Sequence, residues 1–116
     1  MPRSPDRLEL VQGTLDMLIL RTLAFGPAHG HQITRHIEQT TDALLRVDHG
    51  SLYPALHRLV RNGWIDARWE KPKGRNREFK MYRLTPAGRR QLRAEESRWE
   101  QLVQAIARVM KPVEGT

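Results

Sequence analysis

The chain has 116 residues, which is enough for one domain with a small core. Its 20 Lys and Arg outnumber its 13 Asp and Glu and give a net charge of +7, so a polyanion is a natural partner, nucleic acid ahead of a membrane surface. Because the sequence contains no Cys, it excludes a disulfide scaffold, a thiol nucleophile and any metal site with Cys ligands.

Two helices are predicted in the first third of the chain. Residues 1–7 contain two Pro and two Arg and are predicted to be a flexible segment. Residues 8–25 carry apolar side chains at helical spacing, and a Gly-Pro pair at 26–27 ends that helix. A second, short helix is predicted to start at residue 29 or 30 and to end near residue 40. Residues 44–47 are a candidate for one short strand of a later sheet.

No segment of the sequence predicts export or membrane insertion. The first seven residues lack the apolar run of a signal peptide. The longest apolar segment, residues 17–20, falls far short of the roughly 20 residues that a membrane span requires. A cytoplasmic protein without a membrane partner is therefore expected.

A third helix is predicted for residues 51–62. Ser51 is expected to cap it, Pro54 then lies in the first turn, where a proline removes no helical hydrogen bond, and Gly63 follows the last turn. Its buried stripe is predicted to consist of Leu52, Leu56, Leu59 and Val60. The opposite face then presents Tyr53, His57, Arg58 and Arg61. This cationic face is able to reach phosphates or base edges of a nucleic acid, and Ser51 lies where helix amides can hold a phosphate.

Each of these side chains also has a purely structural interpretation. Tyr53 can pack as a half-buried ring beside Leu56, and His57 can be an ordinary exposed histidine. Arg58 and Arg61 can serve solubility alone. A helix whose buried face is fixed by four aliphatic residues is expected to turn both arginines outward together, which favours contact with a partner.

A hairpin with a basic tip is predicted after the third helix. Residues 64–69 and 79–84 alternate between apolar and polar side chains and are predicted to be strands. The segment between them, residues 71–77, holds four positive side chains together with a Gly and an Asn suited to a tight turn. Its candidate DNA contacts are Lys73, Arg75, Asn76 and Arg77. Such side chains suit a minor groove or a phosphate track, whereas the alternative is a solvated turn.

The last predicted helix is long and suggests self-association. Thr85 is expected to cap it, Pro86 occupies its first position, and it continues to about Met110. A single apolar stripe recurs along it at three- and four-residue spacing: Leu92, Trp99, Leu102, Val103, Ile106, Val109 and Met110. The stripe either folds back onto the first helix or packs against a symmetry mate, and a twofold dimer is the simpler solution.

The element order and several motifs identify a family resemblance. Three helices followed by a hairpin are the order of a winged helix-turn-helix. The motifs are Gly13-Thr-Leu-Asp-Met-Leu-Ile-Leu, Gly30-His-Gln-Ile, Gly50-Ser-Leu-Tyr-Pro-Ala-Leu-His-Arg-Leu, Gly63-Trp-Ile and Tyr82-Arg-Leu-Thr-Pro-Ala-Gly. Together they resemble the PadR family of bacterial transcriptional regulators over about residues 10–110. In such a fold the hairpin, here residues 64–84, is called the wing. With a single helix after the wing, the chain resembles the short branch of that family.

The resemblance implies a mainly α fold with a small β hairpin and a non-enzymatic, homodimeric repressor that needs no cofactor. Such a repressor binds an inverted-repeat operator and releases it when a small molecule or another signal acts. The expected division is a flexible segment at 1–7, a winged helix-turn-helix domain at 8–85, a dimerisation helix at 86–111 and a tail at 112–116. A twofold protein predicts half-sites about 34–36 Å apart, or a multiple of one helical turn.

Trp99 has two interpretations, packing between helices and stacking against a planar ligand. In multidrug-binding members of the PadR family, a Trp fourteen residues after the Thr that begins the last helix stacks on aromatic drugs. Thr85 and Trp99 keep that interval here. Glu95 and Glu96 beside the ring either attract a cationic aromatic effector or simply solvate the helix.

Two other classes of function compete with DNA binding. An enzyme is disfavoured because no HExxH, Walker, GxSxG or paired-carboxylate pattern occurs. Zinc bound by histidines and Asp48 is a minor alternative, and no metal site is predicted. An adaptor that uses the last helix to bind a heterologous protein is the remaining alternative, and it would not depend on Arg58 or Arg61.

Overall fold

The computed structural model describes residues 12–112. Over that range the chain forms four helices and a three-stranded antiparallel sheet. In chain order the elements are α1 (Gln12–Ala24), β1 (Ala28–His29), α2 (Gly30–Thr40), α3 (His49–Arg61), β2 (Ile65–Glu70), β3 (Phe79–Leu84) and α4 (Pro86–Met110). The predicted fold class is confirmed. The predictions for residues 1–11 and for the tail beyond residue 112 lie outside the described residues.

One hydrophobic core holds the helices against the sheet. α1 runs through its centre and contacts α2, α3, α4 and β3. The fully buried large side chains come from three helices and one strand: Ile19, Leu20, Ile33, Leu52, Leu56, Leu59 and Ile65. This arrangement buries one face of α2 and of α3 and leaves the other face exposed, whereas α1 is covered on most sides.

The sheet takes its third strand from an unexpected place. Its order is β1–β3–β2, and the short β1 pairs through Ala28 with Tyr82 and through His29 with Met81. The prediction that residues 44–47 supply this strand is wrong, because Leu45 makes only an isolated β-bridge. The chain turns after α1 at Gly26, whose φ of +149° suits glycine, and residues 28–29 then run beside β3.

α3 begins earlier than the sequence predicts. Asp48 is the residue that caps it, since its Oδ1 accepts a hydrogen bond of 2.7 Å from the amide of Ser51. The predicted capping role of Ser51 is therefore wrong, and Pro54 lies inside the helix, beyond the first turn. Pro54 cannot donate to the carbonyl of Gly50 four residues earlier, so α3 lacks one helical hydrogen bond.

The buried stripe of α3 also differs by one residue from the prediction. It consists of Leu52, Ala55, Leu56 and Leu59, whereas Val60 is exposed. These four positions follow the i, i+3, i+4, i+7 spacing of one helical face, and Val60 lies just beyond its edge.

The start of α4 is joined to the base of the hairpin. Thr85 caps the helix by accepting a hydrogen bond of 3.0 Å from the amide of Gly88, and Pro86 takes the first position, as predicted. The hydroxyl of Thr85 donates to the carbonyl of Gly63 at 2.7 Å, and its amide donates to the carbonyl of Trp64 at 3.1 Å. α4 therefore leaves the winged domain in a fixed direction.

Gly88 is the position at which this junction is most sensitive to substitution. A Cβ there would overlap the carbonyl oxygen of Trp64 and lie 2.7 Å from Leu84 Cδ1. We expect Gly88→Ala to lower the free energy of unfolding by about 2–3 kcal/mol through overpacking. The matched control is Gly13→Ala in α1, where the added Cβ meets no atom within 4 Å. In that control the free energy of unfolding should rise by about 0.5–1 kcal/mol, because alanine favours a helix more than glycine does.

Urea denaturation at one fixed protein concentration measures both variants. Equal unfolding midpoints for Gly88→Ala and the natural chain would show that the junction of α4 with the hairpin adjusts without cost.

Candidate nucleic-acid interface

The outer face of α3 carries most of the side chains predicted for it. His57 and Arg61 are exposed, and so are Ser51 and Pro54 near the amino end. Tyr53 is partly exposed and partly packed, and the neighbour that its ring meets is Gly30. Its ring closes on the backbone of Gly30 at the start of α2, where a Cβ would lie 3.0 Å from the Tyr53 hydroxyl oxygen, yet 42% of the residue is exposed.

Arg58 does not join the outward face. Its Nη2 lies 2.6 Å from Oδ1 of Asp16 in α1, and its Nε lies 3.4 Å from Oδ2 of the same carboxylate. The prediction that Arg58 and Arg61 turn outward together is therefore wrong. Arg58 is adjacent to Leu59 and three residues after Ala55, so it borders the buried stripe and its long side chain reaches α1. A carboxylate within the apolar run 15–20 is the signal in the sequence that a cation is needed nearby.

The wing extends beyond the core as a basic tip. Lys73, Arg75, Asn76 and Arg77 are all exposed between β2 and β3, as predicted. Gly74 has a φ of +81°, the left-handed conformation that the turn demands. The Arg77 guanidinium lies over the Phe79 ring, 5.4 Å from its centre, which is cation–π geometry.

The two acidic side chains of β2 are paired with neighbouring arginines. Glu70 accepts hydrogen bonds from Arg83, and these bonds lower the pKa of the Glu70 carboxyl below its usual value. Nη2 of Arg68 lies 3.7 Å from Oδ2 of Asp66. The carboxylates of the strands are therefore compensated locally, and the positive charge of the tip is left to act outward.

An open cleft lies between α3 and the wing, and we call it the helix–wing cleft. Its volume is about 680 Å³, and the start of α2 closes one end. Its cationic lining consists of Arg35, Arg75, Arg77 and Lys80, and three imidazoles also line it: His29, His31 and His57. Its aromatic lining consists of Tyr53, Trp69, Phe79 and Tyr82. Glu78 is the single carboxylate among the lining residues.

Several lining residues were not predicted as site residues. Trp69 is 65% exposed, and its cross-strand partner is Lys80. Arg35 enters the cleft from α2. The strand alternation indicates that Trp69 and Lys80 share a face, but only the tertiary fold brings that face opposite α3.

His29 ties the start of α2 to the wing. Its Nδ1 accepts a hydrogen bond of 3.3 Å from the amide of Gln32, and the Gln32 side chain accepts one of 3.0 Å from the His29 amide. Its ring stacks 4.9 Å from the ring of Phe79. Burial lowers the pKa of His29, and the nearby charges of His31 and Arg75 lower it further. Nδ1 can accept this hydrogen bond only when it carries no proton, so the capping arrangement requires the neutral imidazole.

The apolar stripe of α4 divides into a buried and an exposed part. Leu92 is only 5% exposed and belongs to the core of its own chain, so its predicted place in a dimer interface is wrong. The other predicted members are exposed on the described chain: Trp99, Leu102, Val103, Ile106, Val109 and Met110. Leu92 differs because the first turns of α4 pack against α1, whereas the later turns extend beyond the domain.

The two glutamates near Trp99 are Glu95, which is half-buried, and Glu96, which lies beside it on α4. Glu95 Oε1 accepts a hydrogen bond of 3.2 Å from Gln91 Nε2. Its other carboxylate oxygen is buried without a hydrogen-bond partner among the described residues. Glu95 is therefore the more constrained of the two candidate effector contacts.

The described residues provide neither a membrane span nor a metal-binding cluster. None of the helices within residues 12–112 is long and apolar enough to cross a membrane. Over the same residues, no group of three or more His, Asp or Glu side chains is arranged to hold a metal ion.

The fold and the cationic helix–wing cleft define a winged helix-turn-helix DNA-binding protein. The transcriptional regulator PadR-like family matches residues 19–94, which is well over half of the chain. The chain belongs to this family of non-enzymatic, DNA-binding transcriptional regulators, and the resemblance inferred from the motifs is confirmed.

Individual relatives agree with this assignment. The chain is 32% identical over 98 residues to transcriptional regulator Rv3488 of Mycobacterium tuberculosis (strain ATCC 25618 / H37Rv), covering 84% of this chain and 87% of that protein. It is 46% identical over 79 residues to an uncharacterized 37.1 kDa protein in transposon TN4556 of Streptomyces fradiae, covering 68% of this chain but only 21% of that protein. A transcriptional regulator from Clostridium thermocellum, Cth-833, superimposes with a TM-score of 0.79 at 29% identity, covering 86% and 96% of the two chains.

The cap formed by His29 makes the stability of the fold depend on pH. The pKa of His29 is below its ordinary value of 6.5 in the folded chain, so the unfolded chain binds this proton more readily. The stabilising contribution is complete above pH 6.5, falls as the pH drops from 6.5 toward the folded-state pKa, and is absent below it. We expect His29→Asn, which keeps an acceptor at the cap, to show a smaller loss of stability between pH 7.5 and pH 5.5.

Chemical denaturation at several pH values measures this slope for both proteins. His31, His36, His49 and His57 are present in both chains, so the difference in slope reports on the replacement at position 29. Identical slopes would show that His29 binds a proton equally well in the folded and unfolded chains.

Proposed function

We propose that this regulator is a homodimeric repressor that binds an inverted-repeat operator through α3 and the wing and releases it in response to a signal. The observation that carries the DNA-binding part is the helix–wing cleft, because it places the exposed face of α3 and the basic tip on the same side of the protein.

The geometry of duplex DNA gives this cleft a specific role. One sugar–phosphate strand separates the major groove from the adjacent minor groove. With α3 in the major groove and the wing at the minor groove, that strand lies in the helix–wing cleft. Arg35, Lys80 and the wing arginines then face its phosphates, and Trp69 offers an apolar surface to its sugars. Tyr53, His57 and Arg61 remain free to reach base edges or the opposite strand.

The exposed part of the α4 stripe supports the dimer. Ile106 is 51% exposed, and Trp99, Leu102 and Val103 lie on the same side of the helix. An apolar stripe along several turns is costly in water, and a second copy of α4 offers a matching surface. A twofold axis along these helices would present two copies of α3 to successive turns of one face of DNA.

Repression and release are the parts of the proposal that depend most on the family. A protein that covers an operator blocks access to it, and a ligand that alters the α4 pair changes the spacing of the two recognition helices. Trp99, Glu95 and Glu96 are the proposed contacts of a small aromatic effector, since a half-exposed indole lies on the same helix as a carboxylate oxygen that lacks a partner among the described residues. A regulator of this kind acts on chromosomal DNA, so we place it in the cytoplasm.

Selection of bound duplexes from a random pool tests the DNA-binding proposal. We expect an inverted repeat whose affinity falls steeply with salt, since several phosphates are engaged. The double variant Arg75→Gln/Arg77→Gln should weaken binding and reduce the slope of log K against log salt concentration by about 0.9 for each phosphate that the wing no longer neutralises.

Arg108→Gln is the control for that measurement. Arg108 is exposed on α4, far along the helix from the wing, so it changes the net charge without touching the cleft. If the wing variant and the control give the same slope, the wing does not contact phosphates, and an adaptor role without DNA contacts becomes the better explanation.

A charge within the exposed stripe tests the dimer. Ile106→Glu should convert the dimer to a monomer at micromolar concentration, because it would bury an unpaired carboxylate between the two helices. Gln104→Glu places the same charge on the opposite side of α4 and should leave the dimer intact. Analytical ultracentrifugation measures both. A natural chain that sediments as a monomer at this concentration would remove the basis for an inverted-repeat operator.

A further inference from the structure

The ion pair between α1 and α3 is buried on the Asp16 side, whereas 28% of the Arg58 side chain is exposed. Asp16 is 8% exposed, and its neighbours Leu15 and Ile19 belong to the hydrophobic core. The Arg58 guanidinium meets both carboxylate oxygens, at 2.6 and 3.4 Å. Because an arginine cannot release its proton and a lone carboxylate is costly at such a site, neither partner can leave without the other.

A charge pair at this place does not by itself imply a gain in stability. Well-packed apolar residues of similar size often stabilise a core as much as a buried ion pair does. A two-point contact between a planar guanidinium and a carboxylate instead restricts the relative rotation and height of the two helices. The pair therefore restricts how α3 lies on α1.

The two ends of the pair connect different parts of the regulator. The exposed face of α3 with Tyr53, His57 and Arg61, which we propose contacts bases, is called the reading face. Arg58 lies directly after His57 and is therefore one position from this face. Asp16 lies on α1, and α1 packs against α4, which carries the exposed apolar stripe. A change in the rotation of α3 on α1 thus changes the orientation of the reading face relative to the helix that sets the dimer.

We infer that Asp16 is a positioning residue for DNA recognition, acting through Arg58 to hold the two recognition helices at the separation and rotation that one operator spacing requires. This inference rests on the proposed homodimer. It assigns Arg58 to the scaffold of the recognition helix instead of to a phosphate contact.

Asp16→Asn tests the inference because it keeps the shape of the side chain and removes its charge. Its affinity is measured for the selected operator, for operators with one or two base pairs inserted between the half-sites, and for a random duplex, each over a range of salt. We expect specific affinity to fall on the order of tenfold, comparable with the effect of removing one good base contact. The difference in affinity between the natural spacing and the altered spacings should become smaller, while the salt slope and the affinity for random duplex remain unchanged.

Arg58→Met and the double variant complete the test. If the pair acts as one unit, the double variant binds the operator no more weakly than the weaker single variant. Asp16→Glu restores the charge and should recover part of the spacing preference. The matched control is Asp66→Asn, which removes the same charge from an exposed pair on β2 and should change none of these values by more than about twofold.

The outcomes separate the alternatives. If Asp16 merely keeps Arg58 away from DNA, Asp16→Asn will bind more tightly and with a steeper salt slope, which contradicts the inference. If the pair serves stability alone, the folded variants at low temperature will bind every duplex as the natural chain does, which also contradicts it. A natural chain without any spacing preference overturns the proposed operator geometry and this inference together, whereas a preference that survives Asp16→Asn overturns only the inference.

Discussion

The burial of one face of α3 is the constraint on which the rest of the molecule depends. Leu52, Ala55, Leu56 and Leu59 are drawn out of water against α1 and the sheet. A helix has only one rotation that buries all four, so the exposed positions are decided at the same time. The exposed face of α3, which we propose reads DNA, is thus a consequence of core packing and needs no separate source of stability.

Charges are distributed so that the core constraint and the binding surface do not conflict. Two carboxylates near the proposed DNA side are paired, Asp16 with Arg58 and Glu70 with Arg83, whereas Glu78 is exposed in the lining of the cleft. Of the arginines that remain exposed on the wing, Arg77 has its guanidinium over the ring of Phe79. The positive charge of the wing is therefore available where a polyanion can approach, because Asp16 and Glu70 are each paired with another arginine.

Caps and prolines at the ends of helices explain which elements could be predicted from the sequence. Thr85-Pro86 fixes the start of α4, because the cap and the first-turn proline act within four residues. Ser51 and Asp48 are both competent caps three residues apart, so composition alone could not decide where α3 begins. β1 has two residues, too few for any period to register. The helix–wing cleft and the Arg58 ion pair depend on residues far apart in the chain, and only the tertiary fold brings them together.

The two parts of α4 connect assembly to recognition. Leu92 anchors the first turns in the core, and Thr85 fixes the exit direction through its bonds to the hairpin base. The later turns carry their apolar side chains outward, where a partner helix can cover them. Because the helix is continuous through both parts, a rotation of one helix against its partner cannot be absorbed in a flexible linker and must move the winged domain as a whole. A ligand bound between such helices would act on the distance between the reading faces, and it would need no contact with them.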